Sequence, residues 1–296
     1  MNSNAVVNAP ALWRHMLIDQ APDAHKYQHG SVLVWSGPPL ATGAARLAAT
    51  AALRAGAGLV TLAGETAALM VHAAHVTAIM LKRADGPAGL ATLLEDSRYN
   101  AVILGPAIGV GAHTCELVAV AMAARRACVL DADALTSFAG KARQLADLIA
   151  VNGYPVVLTP HDGEFQKLMG AQLEQSDVGG DQAAWRMDRA SEAAAFFGAT
   201  LVLKGSRTII AATDGRLAVN DNAPPWLATA GSGDVLSGII GGMLAQGMPG
   251  FEAACAGVWL HGLAGQIAGR GMIADDLALA VSKAVARLHG DPALLG

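Results

Sequence analysis

The sequence predicts an α/β fold, in which helices cover both faces of a mostly parallel central sheet and form a three-layer αβα sandwich. Short β-rich apolar runs alternate with Ala-rich stretches along most of the 296 residues, and this alternation is typical of parallel sheets. Hydrophobic residues make up 53% of the chain but aromatic residues only 4%, which indicates tight packing through small side chains. We find no internal repeat and no domain break.

The first half of the chain contains five predicted strand–helix units. Each strand is a short apolar run, and each is followed by a Gly, Pro or polar turn and then a helical stretch. The predicted pairs are strand 31–36 with helix 41–55, strand 58–62 with a helix from about 65, strand 101–104 with helix 112–124, strand 128–130 with helix 132–139, and strand 155–158 with a helix after 159–160.

The second half begins with a longer predicted helix at 182–197 and a flexible loop before it at 175–181 (QSDVGGD). Three short apolar runs at 201–203, 208–211 and 217–219 lie close together in the chain, and they predict a local antiparallel edge of the sheet. The remainder, from 233 to about 289, is predicted to be helical. In sheets of this kind ligands bind beyond the carboxyl ends of the strands, so the residues just after each strand are the candidates for function.

Composition excludes several classes of function. The net charge is −4 and no basic run is present, which argues against nucleic-acid binding. The most apolar stretches, 235–248 and 253–269, are shorter than a spanning helix or carry polar residues such as His261, so we expect buried core helices and no membrane span. His261 itself is expected to be structural.

Processing and redox features favour the cytoplasm. The amino-terminal stretch MNSNAVVNAPALWRHM lacks a basic start followed by an apolar run, so no signal peptide is expected. The three cysteines, Cys115, Cys128 and Cys255, are odd in number and match neither a zinc site nor a disulfide framework. We expect free thiols in a reducing compartment.

The segment ATAGSGDVLSGIIGG at 228–242 joins a Gly-rich turn to an apolar helix. A helix start exposes unpaired N–H groups and the positive end of the helix dipole, so Gly231, Ser232 and Gly233 form a candidate anion hole for a phosphoryl group. Asp234 lies beside it in the first turn, where a carboxylate can accept a proton from a hydroxyl. The alternative is structural: Ser232 caps the helix and Asp234 faces the dipole.

The segment LTPHDGEFQKLM at 158–169 also starts a helix directly after a strand. Thr159 and Asp162 have the spacing of a capping box, which is a purely structural explanation for both. That explanation does not require His161, a candidate substrate contact, or Glu164, a candidate ligand that would hold a metal through water.

Three further segments end strands with residues able to face a ligand. Lys204 in VLKGSRT is placed to lie along the phosphates or ribose of a nucleotide, although a snorkelling lysine at a hairpin turn explains it as well. The loop GPAIGVG at 105–111 offers bare backbone, or is an ordinary tight turn. Asp131 and Asp133 both follow a buried strand, and the sequence does not decide which of them faces the cleft.

Seven collinear segments resemble the ADP/ATP-dependent NAD(P)H-hydrate dehydratases, the ribokinase-like carboxyl-terminal domain family of YjeF-type proteins. The resemblance covers the chain from about residue 25 onward. The matching segments are HKYQHGSVLVWSG (25–37), TGAARLAATAALRAGAGLVTLA (42–63), ILGPAIG (103–109), VLDADAL (129–135), LTPHDGEF (158–165), LKGSRTIIA (203–211) and ATAGSGDVLSGIIGGMLAQG (228–247).

The resemblance implies a ribokinase-like three-layer sandwich and assigns roles to individual residues. Asp234 matches the catalytic base of ribokinase-like kinases. The positions that match contacts to the hydrated nicotinamide nucleotide are Ala44, Gly109, His161 and Asp234. The positions that match the adenine-nucleotide site are Lys204, Gly205, Ser206, Arg207, Thr208 and Gly233.

The implied reaction is the nucleotide-dependent dehydration of the S-epimer of hydrated NADH or NADPH. It requires Mg²⁺ and ADP or ATP, with ADP favoured as phosphoryl donor. Three positions depart from the common family pattern. Ala230 replaces the first Gly of Gly-Gly-Thr-Gly-Asp, Ser232 replaces its Thr, and Ala107 in GPAIG stands where Gly is frequent. The NADH or NADPH preference is not fixed by the sequence, and a homo-oligomer is expected.

Domain organisation and competing functions complete the expectations. We assign 1–24 to an amino-terminal extension and 25–296 to the catalytic domain, which leaves no room for the epimerase domain that many relatives carry, so an epimerase would be a separate protein. The rival enzyme is a small-alcohol kinase of the same fold, acting on a thiazole or pyrimidine alcohol. A nucleotide-binding regulator without turnover is the rival from another class, and Asp234 argues against it because binding alone needs no base.

Overall fold

A ten-stranded sheet forms the centre of the molecule. The computed structural model describes residues 5–17, 29–170 and 182–290. The strands are β1 (Ala5–Val7), β2 (Ser31–Trp35), β3 (Leu59–Gly64), β4 (Met80–Arg83), β5 (Ala101–Leu104), β6 (Ala127–Leu130), β7 (Val156–Leu158), β8 (Thr200–Leu203), β9 (Thr208–Ala211) and β10 (Leu217–Asn220). Their order is β1-β10-β9-β8-β7-β6-β5-β2-β3-β4.

The sheet is mostly parallel, as predicted. The strands from β8 through β7, β6, β5, β2 and β3 to β4 pair in parallel. β9 pairs antiparallel with both β8 and β10, which confirms the antiparallel region predicted from the three closely spaced runs. The chain moves outward from β2 to β4 and then returns to place β5 on the other side of β2, so the order of the strands reverses between β2 and β5.

Helices pack on both faces of the sheet. They are α1 (Thr42–Arg54), α2 (Thr66–Ala73), α3 (Gly86–Leu94), α4 (Ala112–Ala123), α5 (Asp133–Thr136), α6 (Ala142–Ala150), α7 (Asp162–Met169), α8 (Gln182–Phe197), α9 (Ser232–Ala245), α10 (Gly250–Ala268) and α11 (Ala274–His289). One buried cluster joins the sheet to α1, α9, α10 and α11. A second joins its other face to α3 through α8, so the three-layer fold is confirmed.

Several elements were not predicted, for different reasons. β4 is a polar edge strand that contains Lys82 and Arg83 and has no apolar run. The helix α6 has regularly spaced buried residues, Leu145 and Ile149 among them, and this periodicity was detectable. The predicted flexible loop at 175–181 lies outside the described residues.

The part of the amino-terminal extension that the structure describes joins the sheet. β1 pairs in parallel with β10, Ala5 opposite Leu217. Trp13 is 0% exposed and packs against Trp259 with 5.7 Å between ring centroids. Trp13 Nε1 donates to Asn8 Oδ1 at 3.2 Å. Residues 5–17 are therefore built into the same folded unit as the domain that we assigned to 25–296.

The helices α1 and α9 make an unusually close contact. A Cβ placed on Gly238 would lie 2.2 Å from the carbonyl oxygen of Ala48, and one on Gly242 would lie 2.8 Å from that of Ala52. Only glycine permits such an approach of two backbones. Both helices begin at the carboxyl edge of the sheet, so this contact fixes their amino termini relative to each other.

Among the described residues, we find no helix that combines the length and the apolar character needed to cross a bilayer. The two apolar stretches singled out in the sequence are α9 and α10, and both are buried against the sheet. The three cysteines are free thiols.

Candidate functional site

Polar and charged residues meet where β6, β7 and β8 end. Asp131, His161 and Lys204 follow these three neighbouring strands closely, and His161 and Lys204 form an isolated parallel bridge. The amino terminus of α9 points at the same edge, because a Cβ on Gly233 would lie 3.5 Å from Lys204 Nζ and 3.8 Å from Asp131 Oδ2. The fold thus brings together the three segments that the sequence favoured most.

The start of α9 has the backbone geometry of an anion site. Gly231 precedes the helix with φ of 85°, in the left-handed region that favours glycine. The amide of Ser232 donates to Thr229 O at 3.3 Å, and helical bonding begins with Val235 N to Gly231 O at 3.2 Å. In a helix that starts this way, the amides of Gly233 and Asp234 have no helical acceptor and are free to bind an anion.

The predicted cap by Ser232 is not formed, since no side chain caps this helix. Ser232 Oγ instead lies 3.1 Å from His261 Nε2 on α10. Burial lowers the pKa of His261 to about 4, with a smaller contribution from the charge of Lys204. The neutral ring also contacts Ser232 O, at 2.9 Å from Nε2. His261 is structural, as expected, and it holds the first residue of α9.

Asp234 is half-buried in the first turn of α9. The pKa of Asp234 is raised to about 7, first by burial and then by the nearby charge of Asp131. The charge of Lys204 opposes this rise, and Asp133 contributes a smaller increase. A carboxyl group with a pKa near neutrality can exchange a proton with a substrate hydroxyl under physiological conditions.

Lys204 forms a buried ion pair with Asp131. Lys204 Nζ donates to Asp131 Oδ1 at 2.8 Å, while Ser237 Oγ of α9 donates to Asp131 Oδ2 at 2.7 Å. Asp131 is 1% exposed and the Lys204 side chain 20%. Burial alone would lower the pKa of Lys204, but the charges of Asp131 and Glu164 outweigh it and the net shift is upward. Lys204 is therefore a fixed cation, and not a snorkelling side chain.

The two aspartates after β6 have different positions. Asp131 faces Lys204 and Gly233, in the cleft. Asp133 begins α5, and its Oδ2 accepts a hydrogen bond of 2.8 Å from the amide of Gly109. Asp133 thus holds the loop that contains a predicted substrate contact. Asp131 is thus buried beside Lys204 and the start of α9, whereas Asp133 is half-buried at the loop that contains Gly109.

The helix α7 is capped by a different pair from the one predicted. His161 Nδ1 accepts from the amides of Gly163 at 3.0 Å and Glu164 at 3.3 Å, and Glu164 Oε2 accepts from the His161 amide at 2.8 Å. The predicted cap by Thr159 and Asp162 is wrong because the helix begins two residues later. With Nδ1 occupied, the ring nitrogen of His161 that a ligand could reach is Nε2, which lies 3.4 Å from Glu164 Oε1 on a side chain that is 58% exposed.

The predicted nucleotide residues form the turn between β8 and β9, which we call the nucleotide loop (204–208). Gly205, Ser206 and Arg207 are exposed, and Thr208 Oγ1 closes the turn by donating to Gly205 O at 3.2 Å. The loop borders a pocket of about 350 Å³ whose other walls come from Asp162, the start of α8, Ile209 and Val219. These residues are accessible to a ligand at the carboxyl edge of the sheet.

The remaining predicted contacts lie on the loops after β2 and β5. Ala44 is half-buried in the first turn of α1, and Gly109 is exposed. The two loops touch, because a Cβ on Gly37 would lie 1.9 Å from Ala107 O. A Cβ on Gly231 would lie 2.7 Å from Leu47 Cδ1 of α1, so the start of α1 adjoins the start of α9. The predicted contacts therefore surround the point where strand order reverses.

Two residues of this site were missed from the sequence. Ser237 lies one turn after Asp234 and holds Asp131, which is 106 residues away in the chain. Arg186 of α8 contacts the backbone of the nucleotide loop. Ser237 stands within the segment 228–242 that the sequence singled out, but its partner Asp131 is distant in the chain. Arg186 stands in none of the motifs that the sequence singled out.

A protein-family model described as NAD(P)H-hydrate dehydratase matches residues 32–287. The chain belongs to this family. An ADP-dependent (S)-NAD(P)H-hydrate dehydratase of Neisseria meningitidis is 38% identical to this dehydratase-family chain over 257 residues, covering 86% of this chain and 82% of the relative. A bifunctional NAD(P)H-hydrate repair enzyme of Moorella thermoacetica is 39% identical over 284 residues. The chain spans about half the length of that bifunctional relative, 51%.

Solved structures support the fold of this family member. The ADP/ATP-dependent NAD(P)H-hydrate dehydratase of Bacillus subtilis, co-crystallised with ATP and Mg²⁺, superposes with a TM-score of 0.78 at 24% identity, covering 97% of this chain and 99% of the other. A hydroxyethylthiazole kinase of Pyrococcus horikoshii superposes less well, with a TM-score of 0.58 at 15% identity and 88% of this chain covered. The dehydratase and the kinase therefore share one architecture with this chain.

Proposed function

We propose that this protein dehydrates the S-epimer of hydrated NADH and NADPH, using ADP as the favoured phosphoryl donor. The observation that supports this most directly is Asp234, whose pKa is raised to about 7 at the amino terminus of α9, in a chain that belongs to the dehydratase family. The 38% identical Neisseria relative is named for ADP, which supports ADP over ATP.

Asp234 acts as the base in the proposed reaction. The hydrate carries a hydroxyl at C6 of the reduced nicotinamide ring, and hydroxide is a poor leaving group. Asp234 takes the hydroxyl proton as that oxygen attacks the terminal phosphoryl of the nucleotide. The ring nitrogen then expels phosphate from C6, and the adjacent ring carbon C5 loses a proton to the departing phosphate or to water. The C5=C6 bond of the nicotinamide is thereby restored, and ADP ends as AMP plus phosphate.

Backbone amides at the start of α9 stabilise the charge on the phosphoryl group. Gly231, Ser232 and Gly233 were predicted as the anion hole. Because the Ser232 amide already donates to Thr229 O, the amides of Gly233 and Asp234 are the donors proposed for this role. Donors of this type are typically worth about 3–4 kcal/mol of barrier each. Lys204, 3.5 Å from the Cβ position of Gly233, adds a fixed positive charge beside them.

The residues present suit a magnesium ion carried by the nucleotide. Within the described ranges, no group of three His, Cys, Asp or Glu side chains is arranged to hold a metal, so a dedicated protein cage is absent there. Mg²⁺ commonly uses one or two carboxylates together with phosphates and water. Glu164, buried and 3.8 Å from Lys204 Nζ, is the proposed carboxylate. The ion would neutralise charge on the transferring phosphoryl group.

The substrate side is proposed to consist of Ala44, Gly109 and His161 together with Asp234. His161 has its Nδ1 engaged by the cap of α7, so its Nε2 is the atom proposed to contact the hydrate. Gly109 is held by Asp133 and offers backbone atoms without a side chain. The nucleotide loop, Lys204 to Thr208, is proposed to bind the adenine nucleotide together with Gly233.

Three further parts of the proposal concern the location of the protein, its oligomeric state and a second enzyme. We propose a cytoplasmic location, which the free cysteines support, and a homo-oligomer, which the family resemblance supports. A separate epimerase would convert the R-hydrate to the S-hydrate that this enzyme uses.

The decisive experiment follows the near-ultraviolet absorbance of the reduced nicotinamide. Purified protein is mixed with Mg²⁺ and hydrated NADPH, with ADP or ATP in parallel. We expect absorbance to rise only when nucleotide is present, and faster with ADP. If neither nucleotide gives a rise while a thiazole or pyrimidine alcohol is phosphorylated, the proposal fails and the protein is a small-alcohol kinase. Asp234→Asn is the control for a trace contaminant.

A further inference from the structure

The arginine at position 186 connects three segments of the site. It lies on the second turn of α8, and its guanidinium group reaches the first and fourth residues of the nucleotide loop. Nη2 donates to Lys204 O at 3.1 Å, and Nη1 donates to Arg207 O at 3.4 Å. Nη2 also pairs with Asp162 Oδ1 of α7 at 3.0 Å. One side chain therefore contacts the loop near both of its ends and also the helix capped by His161.

We propose that Arg186 is a positioning residue that holds the nucleotide loop in the shape that binds ADP. The inference relies on the proposed function only for the assignment of this loop to the adenine nucleotide. Arg186 does not touch the reacting atoms in this proposal. It acts through the carbonyl groups of Lys204 and Arg207, and so through the direction of the loop amides and of the Lys204 ammonium.

Gly205 gives independent support for this role. A Cβ on Gly205 would lie 2.7 Å from Nη2 and 2.9 Å from Nη1 of Arg186. The glycine is thus explained by the guanidinium lying directly over it.

The arrangement suits arginine and not lysine. The planar guanidinium presents several N–H groups in a fixed fork, so it can serve two carbonyls and a carboxylate at once, whereas an ammonium is a single point of charge on a flexible stem. The Arg186 side chain is only 15% exposed, so water replaces these bonds poorly. Losing them frees the loop and with it the backbone that carries Lys204, which must then be ordered again when ADP binds.

The test compares Arg186→Met with Arg189→Met. Arg189 lies one turn further along α8, its side chain is also 15% exposed, and it forms an ion pair with Glu192 at 2.9 Å, but no bond from it to the loop is found. ADP binding is measured by titration calorimetry with Mg²⁺ and without hydrate. We expect the Kd for ADP to rise about tenfold in Arg186→Met, which corresponds to ~1.4 kcal/mol, and to change less than about twofold in Arg189→Met.

Steady-state kinetics separate positioning from general damage. In Arg186→Met the KM for ADP should rise while the KM for the hydrate stays near the wild-type value. The lysine variant Arg186→Lys should fall between wild type and methionine. Equal Kd values for ADP in Arg186→Met and Arg189→Met, with both variants folded by thermal melting, would overturn the inference. Loss of affinity for ADP and hydrate to the same extent would do so too.

A double-variant cycle with Gly205→Ala completes the test. Gly205→Ala alone should weaken ADP binding, because its methyl group displaces the guanidinium. In the Arg186→Met background that methyl group has room, so the additional loss should be smaller. An equal loss in both backgrounds contradicts the inference. Because ADP binding is measured without turnover, a wild-type protein that binds ADP but does not dehydrate the hydrate would refute the proposed function and leave this inference intact.

Discussion

At the scale of single residues, the proposed reaction depends on the protonation state of Asp234. Its pKa of about 7 arises first from burial and then from the charge of Asp131, against the opposing charge of Lys204. An aspartate with an ordinary pKa would be ionised at all physiological pH values, but it would be a weaker base than Asp234. The environment therefore makes Asp234 a stronger base. As a consequence, a fraction of the protein molecules carries a protonated Asp234 at neutral pH.

We expect kcat/KM to fall about tenfold for each pH unit below 7, because only ionised Asp234 accepts the hydroxyl proton. Above pH 7 the rate should reach a plateau. The measurement is a pH profile of kcat/KM with saturating ADP. A profile that stays flat down to pH 5 would remove Asp234 from the rate-determining proton transfer.

The stability of the Asp234→Asn variant tests the same pKa shift independently of activity. Because the folded-state pKa is raised, the folded protein binds this proton more tightly than the unfolded chain, so the contribution of Asp234 to stability falls as pH rises from about 4 to about 7. Asparagine carries no charge, and the variant should be inactive but more stable than wild type at pH 8, by about 1–3 kcal/mol. An inactive variant that is also less stable at pH 8 would point to misfolding.

The motifs were enough to predict Asp234, Lys204 and His161 at one edge of the sheet. The partners of these residues were not predictable, because they come from distant parts of the chain. Lys204 pairs with Asp131, which lies 73 residues earlier. Local spacing suggested Thr159 as a cap, whereas the bond that forms uses His161. A capping motif fixes that a helix begins nearby, but the tertiary position of the turn decides which residue is the cap.

At the scale of elements, the close contact of α1 and α9 sets the geometry of the site. The central strands were recognised from their apolar runs because both faces of each strand are buried, as the burial of all four residues of β5 illustrates. Edge strands such as β4 carry no such signal. The contact between α1 and α9 depends on which faces of the two helices meet, and periodicity in one helix does not contain that information.

We expect Gly238→Ala to destabilise the protein. Alanine favours a helix over glycine by about 1 kcal/mol, but its methyl group would lie 2.2 Å from Ala48 O and 2.8 Å from Ala51 Cβ. Overpacking of this kind typically costs about 1–3 kcal/mol, so we expect steric repulsion to prevail. The free energy of unfolding is measured by urea denaturation.

Gly43→Ala is the matched helical control for that variant. A Cβ on Gly43, in the first turn of α1, meets no atom within 4 Å. Its stability should be unchanged or slightly increased. If both variants lose the same free energy, crowding at the contact of α1 and α9 is not the cause.

At the scale of the whole molecule, the amino-terminal segment packs against elements from the second half of the chain. β1 forms one edge of the sheet beside β10, and Trp13 is buried against Trp259 of α10. The sequence did not predict this packing, because a three-residue strand and a single tryptophan show no periodicity that could be recognised. The buried partners are also more than 200 residues away along the chain, as with Asn8 Nδ2 donating to Cys255 O at 2.8 Å.

We expect Trp13→Ala to lower the free energy of unfolding by about 3–5 kcal/mol, the usual cost of removing a large buried aromatic side chain. The free energy of unfolding of this variant is measured by urea denaturation. Val7→Ala, at a β1 position that is exposed, should change stability by less than about 1 kcal/mol. A comparable loss of unfolding free energy in both variants would show that the stability comes from β1 and not from the buried Trp13 ring.

The glycine contact between α1 and α9 also constrains how this sequence can change over evolutionary time. A larger side chain at Gly238 or Gly242 becomes tolerable only if α1 moves away, and that movement would carry Ala44 away from Asp234. Conversely, a change that moves Ala44 by shifting α1 must be accommodated at Gly238 and Gly242. The glycines between α1 and α9 and the residues at the start of α1 can therefore vary only together. We expect a change of substrate specificity to arise more readily in the loops after β5 and β8, which are outside this helix contact.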